Sequence, residues 1–186
     1  MCTTFSIFRN GETLLGRTMD LRSYHRYEFK YFPKDFNYEE DVFGNKLYTK
    51  YKIMGATFKD YDHLVDGINE KGLACGLTFV YPTVKNYGFN AGFLIRYILE
   101  KCETTQQAVD FLNKVPIGSS QNIIIIDRFR NLAVAELNSS HKTIKINEAN
   151  AVYRTNHFIE QTMLKYKYLG EDDVFSHLRY KTLNSQ

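Results

Sequence analysis

The chain is poor in the residues that would tie it together covalently or through a metal. Its three cysteines, Cys2, Cys75 and Cys102, are odd in number and show no CxxC spacing. Neither a disulfide framework nor a thiolate metal site is indicated, and a reducing compartment, the cytoplasm, fits best. The five histidines, His25, His63, His141, His157 and His177, include no HxxxH pair. No window approaches the roughly 18 apolar residues of a membrane span. The start, Met1-Cys2-Thr3-Thr4-Phe5, carries no basic leader ahead of an apolar stretch, so the chain reads as soluble. Lys and Arg number 24 against 21 Asp and Glu, leaving +3 with no basic run, which disfavours nucleic acid as a partner. A G-x-S-x-G element is missing as well, which removes the strand-to-helix serine nucleophile and leaves Gly118-Ser119-Ser120 as a loop.

What is present points to sheet. The 186 residues fit one domain over 1–186, and 44% hydrophobic content suffices for a core. Fourteen Tyr and fourteen Phe against three Pro favour pleated, half-buried surfaces. Residues 3–8 and 13–17 form two short apolar runs around Asn10-Gly11, the dipeptide of a type I′ hairpin. Further strands are expected at 27–32, 51–58 and 73–80, with 66–72 as a sharp reversal and the acidic 34–45 segment as a surface loop. Helical spacing covers 91–102 and, after an N-cap at Thr104 or Thr105, continues to about Val115. A strand meander follows over 121–153. Residues 159–168 and 174–183 then read as helices, with Gly170 as a stop between them. Strands, a helix pair, strands and helices in this order make an α+β fold.

Chemistry concentrates at the start. Removal of Met1 would make Cys2 the first residue, so one residue would supply a thiol and an α-amine whose ordinary pKa, about 7.7 to 8.0, leaves a neutral fraction able to accept the thiol proton. Alone, Cys2 reads equally as a small residue of the first strand. The return arm of the hairpin carries Gly16-Arg17-Thr18-Met19-Asp20. Arg17 offers a cation that favours a thiolate, and Asp20 an anion to hold the amine, or the two form an exposed ion pair. Asn156 follows a predicted strand and offers an amide NH₂ to a developing oxyanion, or caps the helix expected near Ile159. Cys75 and Cys102 read as inert core thiols. Asp66 and Asn69 could stiffen the site from behind its contact residues, and His157 stands beside Asn156.

In combination these segments resemble the choloylglycine hydrolase and penicillin V acylase group of linear amide hydrolases. Met1-Cys2-Thr3 is similar to the group's opening, Gly16 to Asp20 to its G-R-[NT]-M-D element, and Asp66 to Leu73 to its D-G-[MI]-N-E-K-G-L turn. Thr155-Asn156 matches its T-N pair, with a His-Phe continuation closer to the related acyltransferase-like branch. Ser176 to Tyr180 matches its S-x-x-R-[FY] element. The resemblance implies an αββα sandwich of the N-terminal-nucleophile type, lacking the usual C-terminal strands. It implies hydrolysis of a small-molecule N-acyl amide (bile-salt-conjugate, penicillin V or N-acyl amino acid type) through an acyl-cysteine, or acyl transfer as a variant. It assigns Cys2 as nucleophile, Arg17 and Asp20 as its partners, Asn156 as oxyanion donor and Arg179 as an active-site charge, with the backbone near Thr78 completing the oxyanion hole on the substrate side. No metal or organic cofactor is implied, and a homo-oligomer stays open. A shortened, non-catalytic member acting as a binding or interaction module is the alternative.

Overall fold

Cross-strand register does most of the work in bringing the site together. The computed structural model describes residues 1–20, 26–40, 46–147, 149–172 and 174–185. Strands β1 (Cys2–Arg9) and β2 (Glu12–Met19) form the first hairpin, paired from Cys2↔Met19 to Arg9↔Glu12. Asn10 and Gly11, at φ 53° and 85°, supply the two left-handed residues of the type I′ turn. The period of two then puts Cys2, Thr4, Arg17 and Met19 on one face.

A second, seven-stranded antiparallel sheet carries most of the remaining strands. These are β3 (Tyr27–Phe32), β6 (Ile53–Phe58), β7 (Asp66–Asn69), β8 (Ala74–Phe79), β9 (Gln121–Ile126), β10 (Leu132–Leu137) and β11 (Lys142–Asn147), in the order β11-β10-β9-β8-β7-β6-β3. Strands β4 (Asn37–Glu40) and β5 (Lys46–Tyr48) make a separate ribbon. Strand β12 (Ala151–Arg154) leaves the second sheet and pairs with β1, giving a first sheet of order β12-β1-β2. Helices α1 (Ala91–Lys101) and α2 (Thr105–Lys114) cover one face of the larger sheet, and α3 (Ser176–Asn184) lies against β12 on the other side of the sandwich. This is the expected αββα layering.

Ile123 to Ile126 show how one run serves two layers. Ile123 and Ile125 point into the core under α1 and α2, with Leu94, Ile98 and Leu112. Ile124 and Ile126 point between the sheets, with Leu132, Val134, Val152 and Leu15. Each buried branched side chain contributes about 1.5–3 kcal/mol.

Four expectations are corrected. The 66–72 stretch is not all reversal: Asp66 to Asn69 is strand β7, because Gly67 lets it lie against Gly55 of β6, where an added Cβ would meet Met54 O at 2.6 Å. The 34–45 loop contains strand β4; its residues 41–45, with Asp41, lie outside the described residues, as does His25. The 121–153 segment is not one meander, since β12 crosses to the first sheet. Residues 159–168 form turns and a single 3₁₀ turn at Leu164–Tyr166. There the N–H groups of Met163, Leu164, Tyr166 and Lys167 bond to carbonyls three residues back rather than four, while the buried Glu136 carboxylate anchors the segment start by accepting the Ile159 and Glu160 N–H groups (3.0 and 3.1 Å).

The three-stranded sheet is narrower than the face it covers. Tyr31, Met54 and Ile68 share the sandwich-side face with buried Ala74 and Ile126, yet Phe29 and Tyr31 are 80% and 59% exposed. Among the described residues no strand pairs with the outer edge of β2.

Candidate active site

Cys2 is met by three segments separated in sequence, at Arg17, Asn156 and Arg179. Its side chain is buried, and the Arg17 guanidinium reaches it with Nη2 at 3.4 Å from Sγ. Arg17 is itself fixed along its whole length. Nε donates to Leu77 O at 2.6 Å, Nη1 to Asp66 Oδ2 at 3.2 Å and Nη2 to Met19 Sδ at 3.1 Å. The Arg17 stem lies over Gly76 of β8, where an added Cβ would stand 3.5 Å from its Cδ. A planar fork with this many acceptors has one orientation, so the cation beside the thiol is held rather than sampled.

Asn156 arrives by register. Because Thr4 faces Arg154 across β1 and β12, a residue two further along faces Cys2, and Asn156 Oδ1 accepts the Cys2 N–H at 2.9 Å. The same oxygen accepts from Arg179 Nη2 at 2.7 Å, while Asn156 Nδ2 donates to Phe79 O at 2.7 Å. These partners fix the amide orientation. The side-chain amide oxygen of Asn156 is thus what meets the Cys2 nitrogen. Arg179, from α3, also donates through Nη1 to Cys2 O and Thr3 Oγ1, both at 2.6 Å. It clamps the backbone at Cys2 and makes no hydrogen bond to the sulfur.

Asp20 and Thr78 stand on either side of this arrangement. Asp20 N donates to Met1 O at 2.7 Å and Asp20 O accepts from the Met1 amine, so its backbone brackets Met1 while its carboxylate is exposed and makes no hydrogen bond to a described residue. Thr78 is fully buried, with its hydroxyl donating to Thr155 O at 2.6 Å. Its side chain supports the 155–157 turn from below, together with Asn122 Nδ2 on Thr155 O and His157 O.

Sequence reasoning missed Ser176 as a contact residue. Its buried hydroxyl meets Asn156 N and His157 Nδ1, both at 2.7 Å. Burial, with the adjacent His177 as second cause, lowers the His157 pKa to about 4. His157 stacks on His177 with ring centroids 4.0 Å apart. The signal available beforehand was the S-x-x-R element, which drew attention to its arginine alone. Cys75 and Cys102 are buried, and burial raises both thiols, Cys102 to about 12. An open cleft of about 590 Å³ begins at Arg17 and Met19 and runs past Asp66 to Tyr27, Met54 and Ile68.

The sequence and the fold both have known relatives. A sequence profile for acyl-coenzyme A:6-aminopenicillanic acid acyl-transferase matches residues 8–186. The chain belongs to this acyl-transferase family. A relative of this family member, the bile salt hydrolase/transferase of Clostridium perfringens (strain 13 / Type A), is 32% identical over 139 residues, which are 66% of this chain and 42% of the relative. In fold, the chain is similar to a variant of conjugated bile acid hydrolase from Clostridium perfringens (TM-score 0.67, 19% identity, covering 88% of this chain and 56% of that one). It is also similar to penicillin V acylase from Agrobacterium tumefaciens (TM-score 0.68, 21% identity, 89% and 55%). The kinship expected from the motifs is therefore borne out, on the acyl-transferase side suggested by Asn156-His157-Phe158. The acyl-transferase family member described here spans less than half the length of the curated relative and about 55% of the solved chains.

Proposed function

We propose that the chain cleaves a linear N-acyl amide with Cys2 as an N-terminal nucleophile, after loss of Met1. One observation carries this: Arg17 Nη2 at 3.4 Å from Cys2 Sγ, with Asn156 Oδ1 at 2.9 Å from the nitrogen that becomes the α-amine. In this reading the amine takes the thiol proton as sulfur bonds to the acyl carbon. The carbonyl π electrons move onto oxygen, and the tetrahedral oxyanion is met by donors near the 78–80 backbone and the second Asn156 Nδ2 hydrogen. The amine returns the proton to the leaving nitrogen as the C–N bond breaks. Water, or a second amine, then displaces the acyl-cysteine, regenerating the thiol. Asp20 takes up the freed α-amine once Met1 no longer occupies its backbone. The cleft suits an apolar acyl group, with Tyr27, Met54 and Ile68 along it and the Arg17–Asp66 pair at its reacting end. Bile-salt conjugates, penicillin V and N-acyl amino acids are the classes to try, in a reducing, cytoplasmic setting consistent with three free thiols.

A panel of such amides tested on processed protein checks the reading. Activity should appear on at least one, and Cys2→Ala should lower it by on the order of 10³-fold or more. Equal turnover by Cys2→Ala would sink the proposal. The second reading, a binding module without catalysis, draws on the exposed Phe29 and Tyr31 face and the open β2 edge. It gains if no amide is turned over while Cys2→Ala and wild type behave alike.

A further inference from the structure

We infer that Ser176 is a positioning residue for the reaction proposed above: its buried hydroxyl orients Asn156, and through Asn156 the nitrogen of Cys2, by joining the Asn156 backbone to His157. The inference rests on the reading of Cys2 as nucleophile.

A hydroxyl has one proton to give and two lone pairs to receive with. One lone pair of Ser176 Oγ takes the Asn156 N–H at 2.7 Å. Its proton has two acceptors in reach, His157 Nδ1 at 2.7 Å and Thr155 Oγ1 at 3.0 Å. The imidazole is neutral above about pH 4, so its Nδ1 lone pair is free to accept when the ring proton sits on Nε2. Thr155 Oγ1 passes its own proton to Ser176 O at 3.1 Å. With the ring proton on Nδ1 instead, the imidazole donates to the second Ser176 lone pair and the hydroxyl proton goes to Thr155 Oγ1; in both arrangements Ser176 Oγ accepts the Asn156 N–H, so the run of contacts from His157 through Ser176 to Asn156 has one direction.

That direction ends at Cys2. With its backbone N–H fixed by Ser176 and its Nδ2 fixed by Phe79 O, Asn156 has its Oδ1 set where it meets Cys2 N at 2.9 Å and Arg179 Nη2 at 2.7 Å. A helix-docking role does not account for the hydroxyl. The start of α3 is already tied by Asp172, whose Oδ1 accepts Ser176 N at 2.8 Å and whose Oδ2 accepts His177 N at 2.9 Å, and Arg179 ties α3 to β1. What the hydroxyl alone holds is Asn156 N.

The test compares wild type, Ser176→Ala and Ser176→Thr as processed chains, on an N-acyl amide that wild type turns over. Ser176→Ala should lower kcat about 10- to 100-fold, the size expected when a reacting group is misplaced by a fraction of an ångström to an ångström. KM should stay within about twofold, and Ser176→Thr, which keeps the hydroxyl, should recover most of the rate. The thermal midpoint should fall by no more than about ten degrees, the size expected when one buried N–H loses its acceptor. If Ser176→Ala does not fold, His157→Asn keeps the hydroxyl, shifts its acceptor and should lower kcat about threefold or more at unchanged KM. Unchanged kcat in both variants overturns the inference while leaving Cys2 as nucleophile. Loss of kcat that Ser176→Thr does not recover, together with a fall in thermal midpoint well beyond about ten degrees, also overturns it, in favour of a scaffold role. Absence of turnover by wild type on every amide overturns the function itself, and this inference with it.

Discussion

Arg17 makes four side-chain hydrogen bonds, as many as Arg179, and its environment sets what substitution does. Its side chain is 5% exposed and pairs with Asp66, which is partly open to solvent. Arg17→Met takes the cation from the Asp66 carboxylate and leaves Leu77 O with the Thr4 hydroxyl alone, and should destabilise the fold by about 2–4 kcal/mol in urea titration, somewhat less than the loss of a fully buried pair because Asp66 is partly open. Wild-type stability in Arg17→Met would mean that the pair holds nothing. The three thiols differ as sharply. Cys75 and Cys102 are shielded by burial that also holds them protonated, whereas Cys2 has a guanidinium beside it. Iodoacetamide on the native chain should therefore label residue 2 first, with all three thiols reacting only after denaturation, as read by peptide mass mapping. Early labelling of Cys75 would contradict the placement. Among single residues, Cys2, Arg17, Asn156 and Arg179 were legible in sequence because motif and chemistry coincide there. The contacts of Ser176 were not, because which atoms its hydroxyl meets depends on where α3 docks, and no side-chain type reveals that.

At the scale of elements, hairpins and capped helices follow local chemistry. Asn10-Gly11 dictates its turn, and Asn90 and Thr104 cap α1 and α2 by accepting Gly92 N and Gln107 N. The 159–168 segment has helical spacing, yet its backbone closes three-residue turns and its start is anchored to Glu136, a residue over twenty positions away whose carboxylate also pairs with Arg154 at 2.9 Å. Strand β12 likewise reads as the end of a meander until its pairing with β1 is seen. Both cases turn on non-local partners, which periodicity does not carry. The 155–157 turn that β12 delivers has its own pH signature. His157 titrates near 4 in the folded chain against an ordinary 6.5, so between these values the unfolded chain binds more protons. Stability is therefore complete above about pH 6.5 and falls as pH drops towards 4. The urea midpoint should decline across that window, and His157→Gln should flatten the decline. An identical slope in the variant would remove His157 from the account.

For the whole molecule, three strands cover a seven-stranded face, and the uncovered part is aromatic. Phe29, Tyr31 and Met54 share that face and are all more than half exposed, beside a β2 edge that no described strand pairs with. Exposed apolar area of this kind, next to a free strand edge, favours association and dye binding. The 186-residue chain should enhance 1-anilinonaphthalene-8-sulfonate fluorescence, and Phe29→Lys with Tyr31→Lys should reduce it without changing the thermal midpoint by more than a few degrees. A chain that leaves the dye dark would show this face to be covered. The layered architecture was readable from element order and motif resemblance. The extent of coverage was not, because it depends on how many strands stand opposite one another.

The central claim is that one residue carries both the attacking sulfur and the base. The most direct measurement is acid-quenched intact mass of the processed chain during turnover of an N-acyl amide, followed by peptide mapping. The account predicts a chain lacking Met1 that gains one acyl mass, located at residue 2 and absent in Cys2→Ala. Turnover with Met1 retained, or acyl mass at any other residue, would contradict it.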